Sequence, residues 1–176
     1  RFEGGEICDR PVSLVDLAPT FLEAAGASIE DHPLDGEDLH AVASGSSDRR
    51  YVFSHLSYHQ DGMNRMVQGG AYDRAELPGE DQWSPERIAA FSSYMAVSRE
   101  WKYFYSAPDD REFLFDRRAD PDETRNRAGV KFAAGALSAH KSALIDHLRA
   151  GGETTGLDGD DWRVYPHQDV SSDPDT

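Results

Sequence analysis

The chain has 176 residues, long enough for one domain with a hydrophobic core, and 10% aromatic content sets most of it apart from disordered sequences. Eighteen Lys and Arg stand against 33 Asp and Glu, a net charge of -15, which disfavours binding to nucleic acid or an anionic membrane because both need a basic patch. No stretch approaches the roughly 18 apolar residues of a membrane-spanning helix, and the one cysteine, Cys8, excludes an intrachain disulfide and a cysteine-built zinc site. The first residue is Arg1 rather than Met, so the expectation is a processed or truncated piece, and cellular location stays open. Acid excess with only three lysines (Lys102, Lys131 and Lys141) suits a salt-rich milieu, where ions screen self-repulsion. An ordinary acidic protein fits it equally well.

Residues 1 to 11 read as an extended lead-in closed by Pro11. The run Val12 to Gly26 predicts a helix from Asp16 to Ala25. Ser13 or Asp16 supplies the capping oxygen, Pro19 sits in the first turn, and Leu17, Phe21, Leu22 and Ala25 share a face. Gly26 is placed to stop it in a left-handed conformation. A short helix is expected over 37–43, ending near Gly45, then a strand over Arg50 to His55. Residues 57 to 83 are too long for an ordinary connector and read as a functional or mobile loop.

Ser84-Pro85 starts a helix to about Phe91, with serine as cap and proline at the first helical position. Three β-type runs follow: Tyr94 to Ser98, Trp101 to Tyr105 and Glu112 to Phe115. Links this short force antiparallel pairing, although Arg99-Glu100 lacks the usual turn residues. Pro108-Asp109-Asp110 and Asp120-Pro121-Asp122-Glu123 mark further turns. A long helix is expected from Val130 to Arg149, with Phe132, Leu137, Leu144, Ile145 and Leu148 toward the core and Gly151-Gly152 ending it. The fold class is therefore α+β: an antiparallel sheet of about four strands with the long C-terminal helix packed on one face. Residues 153 to 176 read as a tail that is polar apart from Trp162, Val164 and Tyr165, frayed at its end.

Several of these segments, in order, resemble the sulfatases of the alkaline-phosphatase superfamily. Pro11-Val12-Ser13-Leu14-Val15-Asp16-Leu17-Ala18-Pro19-Thr20 resembles the segment after their catalytic core, and Asp35-Gly36-Glu37-Asp38-Leu39 through Gly45 their next short helix. Ala96-Val97-Ser98-Arg99-Glu100-Trp101-Lys102-Tyr103 resembles the hairpin of their C-terminal sheet. Glu112-Phe113-Leu114-Phe115-Asp116, with Asp120-Pro121-Asp122-Glu123 and Asn126, resembles their closing signature.

The resemblance implies three parts: 1–46 as the end of the α/β catalytic domain, 47–150 as the C-terminal subdomain, and 151–176 as a partly disordered polar tail. The N-terminal helices would belong against an α/β core outside this chain. It further implies hydrolysis of sulfate esters in the intact protein, by a formylglycine nucleophile made from a Cys/Ser-x-Pro-x-Arg motif. A calcium ion there binds the sulfate and lowers the nucleophile's pKa. Neither that motif nor the metal-ligand motifs occur among these residues, so no catalytic residue, metal ligand or cofactor is assigned to this chain. Its expected partner is the N-terminal sulfatase catalytic domain. A stand-alone non-catalytic interaction module, or part of a related phosphodiesterase or phosphonate monoester hydrolase, is the alternative.

Cys8-Asp9-Arg10-Pro11 puts Arg before Pro and lacks the spacing a formylglycine-generating motif requires. Asp109-Asp110 and Asp160-Asp161 read as solvated turn acids, Lys102 as a cation on the solvated sheet face, and Asp116, Asp120, Asp122 and Glu123 as turn and helix caps. His55 and His59 would stand about 13 Å apart on a strand, too far to chelate one ion. If the loop after the first strand faces the active site, as in sulfatases, His55, Tyr58, His59 and Arg65 are candidates to touch the organic part of the substrate. Surface or packing roles are the plainer account of the same four residues.

Overall fold

The computed structural model describes residues 4–5, 7–27, 34–57 and 84–166. A 3-10 turn (Leu14–Asp16) leads into α1 (Leu17–Ala24), then α2 (Leu39–Ser44), β1 (Val52–Ser57), α3 (Pro85–Ala90), β2 (Ser92–Val97), β3 (Trp101–Ser106) and β4 (Arg111–Asp116). A second 3-10 turn (Lys131–Ala133) opens α4 (Ala134–Ala150), and a two-stranded ribbon follows, β5 (Leu157–Asp158) with β6 (Asp161–Trp162). Strands β1 to β4 form an antiparallel meander in chain order, with Val52 opposite Val97, Tyr94 opposite Tyr105 and Phe104 opposite Phe113. The expected four-stranded sheet with a long helix on one face is the observed architecture.

Strand periodicity sets the two faces. Tyr94, Ala96, Tyr103, Tyr105 and Leu114 point to α4 and are buried against Leu144, Ile145 and Leu148. The opposite face carries Phe104, Phe113 and Phe115, all half-buried. Lys102 lies on that second face over the Phe115 ring and pairs with Glu123, so this face is less polar than a solvated sheet normally is.

The first two helices are fastened by one buried carboxylate. Asp16 is expected as a cap for α1, yet its side chain caps nothing there. It accepts from Ser13 N at 2.7 Å, Glu37 N at 3.0 Å and Arg49 Nη1 at 2.9 and 3.0 Å. Thr20 Oγ1 donates to the Asp16 carbonyl and accepts from Leu39 N, tying α1 to the start of α2. Gly36 lies so close that a Cβ there would stand 2.1 Å from the Val15 carbonyl oxygen. The Val-Asp-Leu-Ala-Pro-Thr and Asp-Gly-Glu-Asp-Leu segments are thus two halves of one lock. Asp38 caps α2 through His40 N and Ala41 N, and Gly45 ends it at φ 82, a left-handed backbone few residues but glycine adopt.

Two expectations are corrected. Phe132, expected in the core, is 70% exposed, because the 3-10 turn before α4 rotates it away from the sheet. His140 takes a buried place on α4 instead. Residues 153 to 166, read as part of a polar tail, return to the sheet. Gly159-Asp160 forms a two-residue turn between β5 and β6, and Leu157 and Trp162 enter the core.

Candidate functional site

The end of β1 and the start of β2 collect the chemistry this chain presents. β1 is an edge strand, and alternation puts His55 and Ser57 on one face, opposite Tyr94 and Ser92 of β2. The His55 ring stacks on Tyr94 with centroids 4.5 Å apart; Tyr94 stacks on Trp162 at 5.0 Å, and Trp162 on Tyr105 at 4.4 Å. This aromatic ladder runs from the edge strand into the core. His55, at its outer end, is exposed.

A line of hydrogen bonds passes along the same strands. His55 Nε2 lies 2.6 Å from Ser57 Oγ, Ser57 Oγ lies 2.9 Å from Ser92 Oγ, and Ser92 Oγ donates to the Ile88 carbonyl at 2.8 Å. Partial burial holds the His55 imidazole below its ordinary pKa, against the opposing charge of Glu153, so the ring is mostly neutral at pH 7. Tyr94 is buried, which pushes its phenol up to about 12 against the influence of the Ser92 hydroxyl. Among the described residues its Oη has no hydrogen-bond partner, and a Cβ on Gly156 would come within 2.7 Å of it. Only a glycine lets the chain cross the Tyr94 hydroxyl this closely.

Tyr58, His59 and Arg65 lie outside the described residues, as does the loop expected over 57–83 beyond Ser57. The structure therefore brings His55 together with Ser57, Ser92 and Tyr94, three residues that sequence reasoning missed. The period-2 pairing of His55 with Ser57 on a strand was the available signal for Ser57. The β2 partners depend on a register that no local pattern fixes.

A second concave region, a cleft of about 530 Å³, lies under the β5–β6 ribbon and is lined by Tyr105, Glu112, Lys141, Asp161 and Trp162 among others. Its central charges satisfy one another. Trp162 Nε1 donates to Tyr103 Oη, Tyr103 Oη donates to Glu112, and Lys141 pairs with both Glu112 and Asp161. Burial alone would lower the Lys141 pKa, but the two carboxylates outweigh it and raise it. This network fixes the ribbon to the sheet.

The acids at the turns act as caps. Asp120 accepts from Thr124 N, Thr124 Oγ1 and Arg125 N, and Asp116 accepts from Arg118 N and Ala119 N. Asn126 lies along the outer edge of β4, accepting from Leu114 N and donating to the Glu112 carbonyl as a neighbouring strand would. Among the described residues no group of three or more His, Cys, Asp or Glu is placed to hold a metal ion. They do not fit the calcium site that the resemblance implies for the intact protein, and no helix among them is long and apolar enough to cross a membrane.

No family model matches the chain. Arylsulfatase K of Xenopus laevis is 34% identical over 131 residues, 73% of this chain and 21% of that protein. The chain is a sulfatase relative. It corresponds to the C-terminal portion of a sulfatase and spans about a fifth of that curated relative's length. Two solved structures share the fold. A 2-O GAG sulfatase matches at a TM-score of 0.55 and 20% identity, over 86% of this chain and 27% of that one. A phosphonate monoester hydrolase from Silicibacter pomeroyi matches at 0.52 and 21% identity, over 90% of this chain and 30% of that one.

Proposed function

We propose that these residues form the C-terminal region of a sulfuric ester hydrolase, with the nucleophile and metal ligands supplied by an N-terminal α/β catalytic domain. The observation that carries this reading is the apolar face left open on the first helical segment. Leu14 is 84% exposed, Phe21 67% and Val15 52%, although neighbouring Asp16 and Thr20 are buried. A row of large apolar side chains beside a firmly fixed backbone is the surface of an interface, since exposing it to water costs roughly 25 cal/mol per Å² relative to burial. The half-buried Phe104, Phe113 and Phe115 on the sheet's second face support the same reading.

In that assembly calcium and a formylglycine belong to the catalytic domain, and this chain contributes scaffold and substrate rim. His55, with Tyr58, His59 and Arg65 from the following segment, meets the organic part of the sulfate ester. The reading frame upstream of Arg1 tests the proposal. An in-frame Cys/Ser-x-Pro-x-Arg motif supports it, and a start codon directly before Arg1 overturns it in favour of a stand-alone interaction module. The fold likeness to a phosphonate monoester hydrolase keeps one further reading in view, a related hydrolase of phosphonate or phosphate esters. Relative turnover of an aryl sulfate and a phenylphosphonate monoester by the assembled protein separates the two.

A further inference from the structure

The three hydrogen bonds at the end of β1 fix where the His55 proton is. A carbonyl oxygen can only accept, so the Ser92 hydroxyl spends its one proton on Ile88 O. Ser57 Oγ, 2.9 Å away, must then donate to Ser92 Oγ. Ser57 has no second proton, so at its 2.6 Å contact with His55 it can only accept. His55 Nε2 is therefore protonated. A neutral ring with Nε2–H has a bare Nδ1, for which the described residues supply no partner. The same count excludes a nucleophilic Ser57: in such a pair the serine proton points to the imidazole, and here it points to Ser92.

We propose that His55 Nδ1 is a hydrogen-bond acceptor for a hydroxyl or N–H donor on the organic part of a ligand, with Ser57 and Ser92 as positioning residues that hold the tautomer. This rests on the reading that the end of β1 lies at the rim of the substrate cleft. It names the ligand class as one bearing donors beside the ester, such as a polyol or sugar, over a bare aryl group. The ring is ready to act: stacking on Tyr94 fixes its plane and the Ser57 contact fixes its rotation about that plane. A fixed acceptor favours a ligand that supplies the donor over an analogue lacking it, because the analogue forgoes that hydrogen bond.

The test uses the 176-residue chain labelled with 15N. Long-range 1H–15N correlation spectra distinguish a protonated from a bare imidazole nitrogen. The expected pattern for His55 is a protonated Nε2 and a bare Nδ1, shifting toward a tautomer mixture in Ser57→Ala. Titration with glucose and with glucose 6-sulfate should move the Nδ1 resonance, whereas phenyl sulfate, which has no donor, should not. His55→Phe keeps a ring on Tyr94 and should weaken sugar binding about tenfold, the loss of one hydrogen bond of about 1.4 kcal/mol.

A protonated Nδ1 in the unliganded chain, no movement with either sugar, or equal movement with phenyl sulfate overturns the proposal. Those results leave the hydrolase reading intact. Conversely, the expected shifts in a chain whose assembled form cleaves no sulfate overturn the hydrolase reading and leave the acceptor standing.

Discussion

Asp16 shows how much one side chain can carry. Burial by itself would raise its pKa, but the Arg49 guanidinium and the amides of Ser13 and Glu37 outweigh that and hold the carboxyl below its ordinary value. Replacing it leaves the largely buried Arg49 with only the more exposed Glu37 carboxylate, 3.1 Å from its Nε, and frees the amides of Ser13 and Glu37, so Asp16→Ala should cost about 3 kcal/mol, read as a lowered urea midpoint. An unchanged midpoint would show that the lock between the two motifs is dispensable. His140 makes the opposite kind of statement. Burial, the largest effect, and the nearby Arg50 charge lower its pKa from 6.5, against the hydrogen bond it donates from Nδ1 to the Ala136 carbonyl. The unfolded chain then takes up a proton at a pH where the fold does not. Stability should fall as pH drops through about 6.5 and level off below the folded-state value. His140→Gln should remove that share of the slope between pH 5 and 7, measured by chemical denaturation; an identical slope in the variant contradicts this account. Sequence reasoning saw Asp16 as a cap and did not single out His140, because both roles depend on partners 21 to 42 positions away in the chain.

At the level of elements, local pattern was informative wherever the signal is local. The serine-proline start of α3, the left-handed stop of α2 at Gly45 and the meander of β2, β3 and β4 follow from residues adjacent in sequence. The Arg99-Glu100 turn closes without glycine or asparagine because Ser98 Oγ accepts from Trp101 N and Ser98 N donates to the Trp101 carbonyl. The start of α4 was harder to read. Its apolar period includes Phe132, but one turn of 3-10 geometry shifts the phase and leaves that ring in solvent. Phe132→Ser should therefore change stability by less than about 0.5 kcal/mol, whereas Leu144→Ala should cost about 3 kcal/mol. Equal losses in thermal unfolding would place Phe132 back in the core. The β5–β6 ribbon carried a legible Gly-Asp turn signal at Gly159-Asp160, but its flanking strands of two residues are too short to show alternation. Of the candidate rim, only His55 lies among the described residues, and its partners on β2 became visible through strand register.

For the whole molecule, two forces point outward: an excess of negative charge and an open apolar face. With a net charge of -15, added salt should raise the unfolding midpoint by screening self-repulsion. The apolar face should make the isolated chain self-associate. Leu14→Glu with Phe21→Glu should return it to a monomer in analytical ultracentrifugation without lowering its stability, because both side chains are already exposed. A monomeric parent at high concentration would mean that this face is inert. The central claim is that the chain supplies scaffold and rim while the groups that attack sulfur lie in another domain. The most direct measurement is hydrolysis of an aryl sulfate by the purified 176-residue protein with calcium present. The account predicts no turnover above the uncatalysed rate, and turnover abolished by a carbonyl-directed reagent would contradict it.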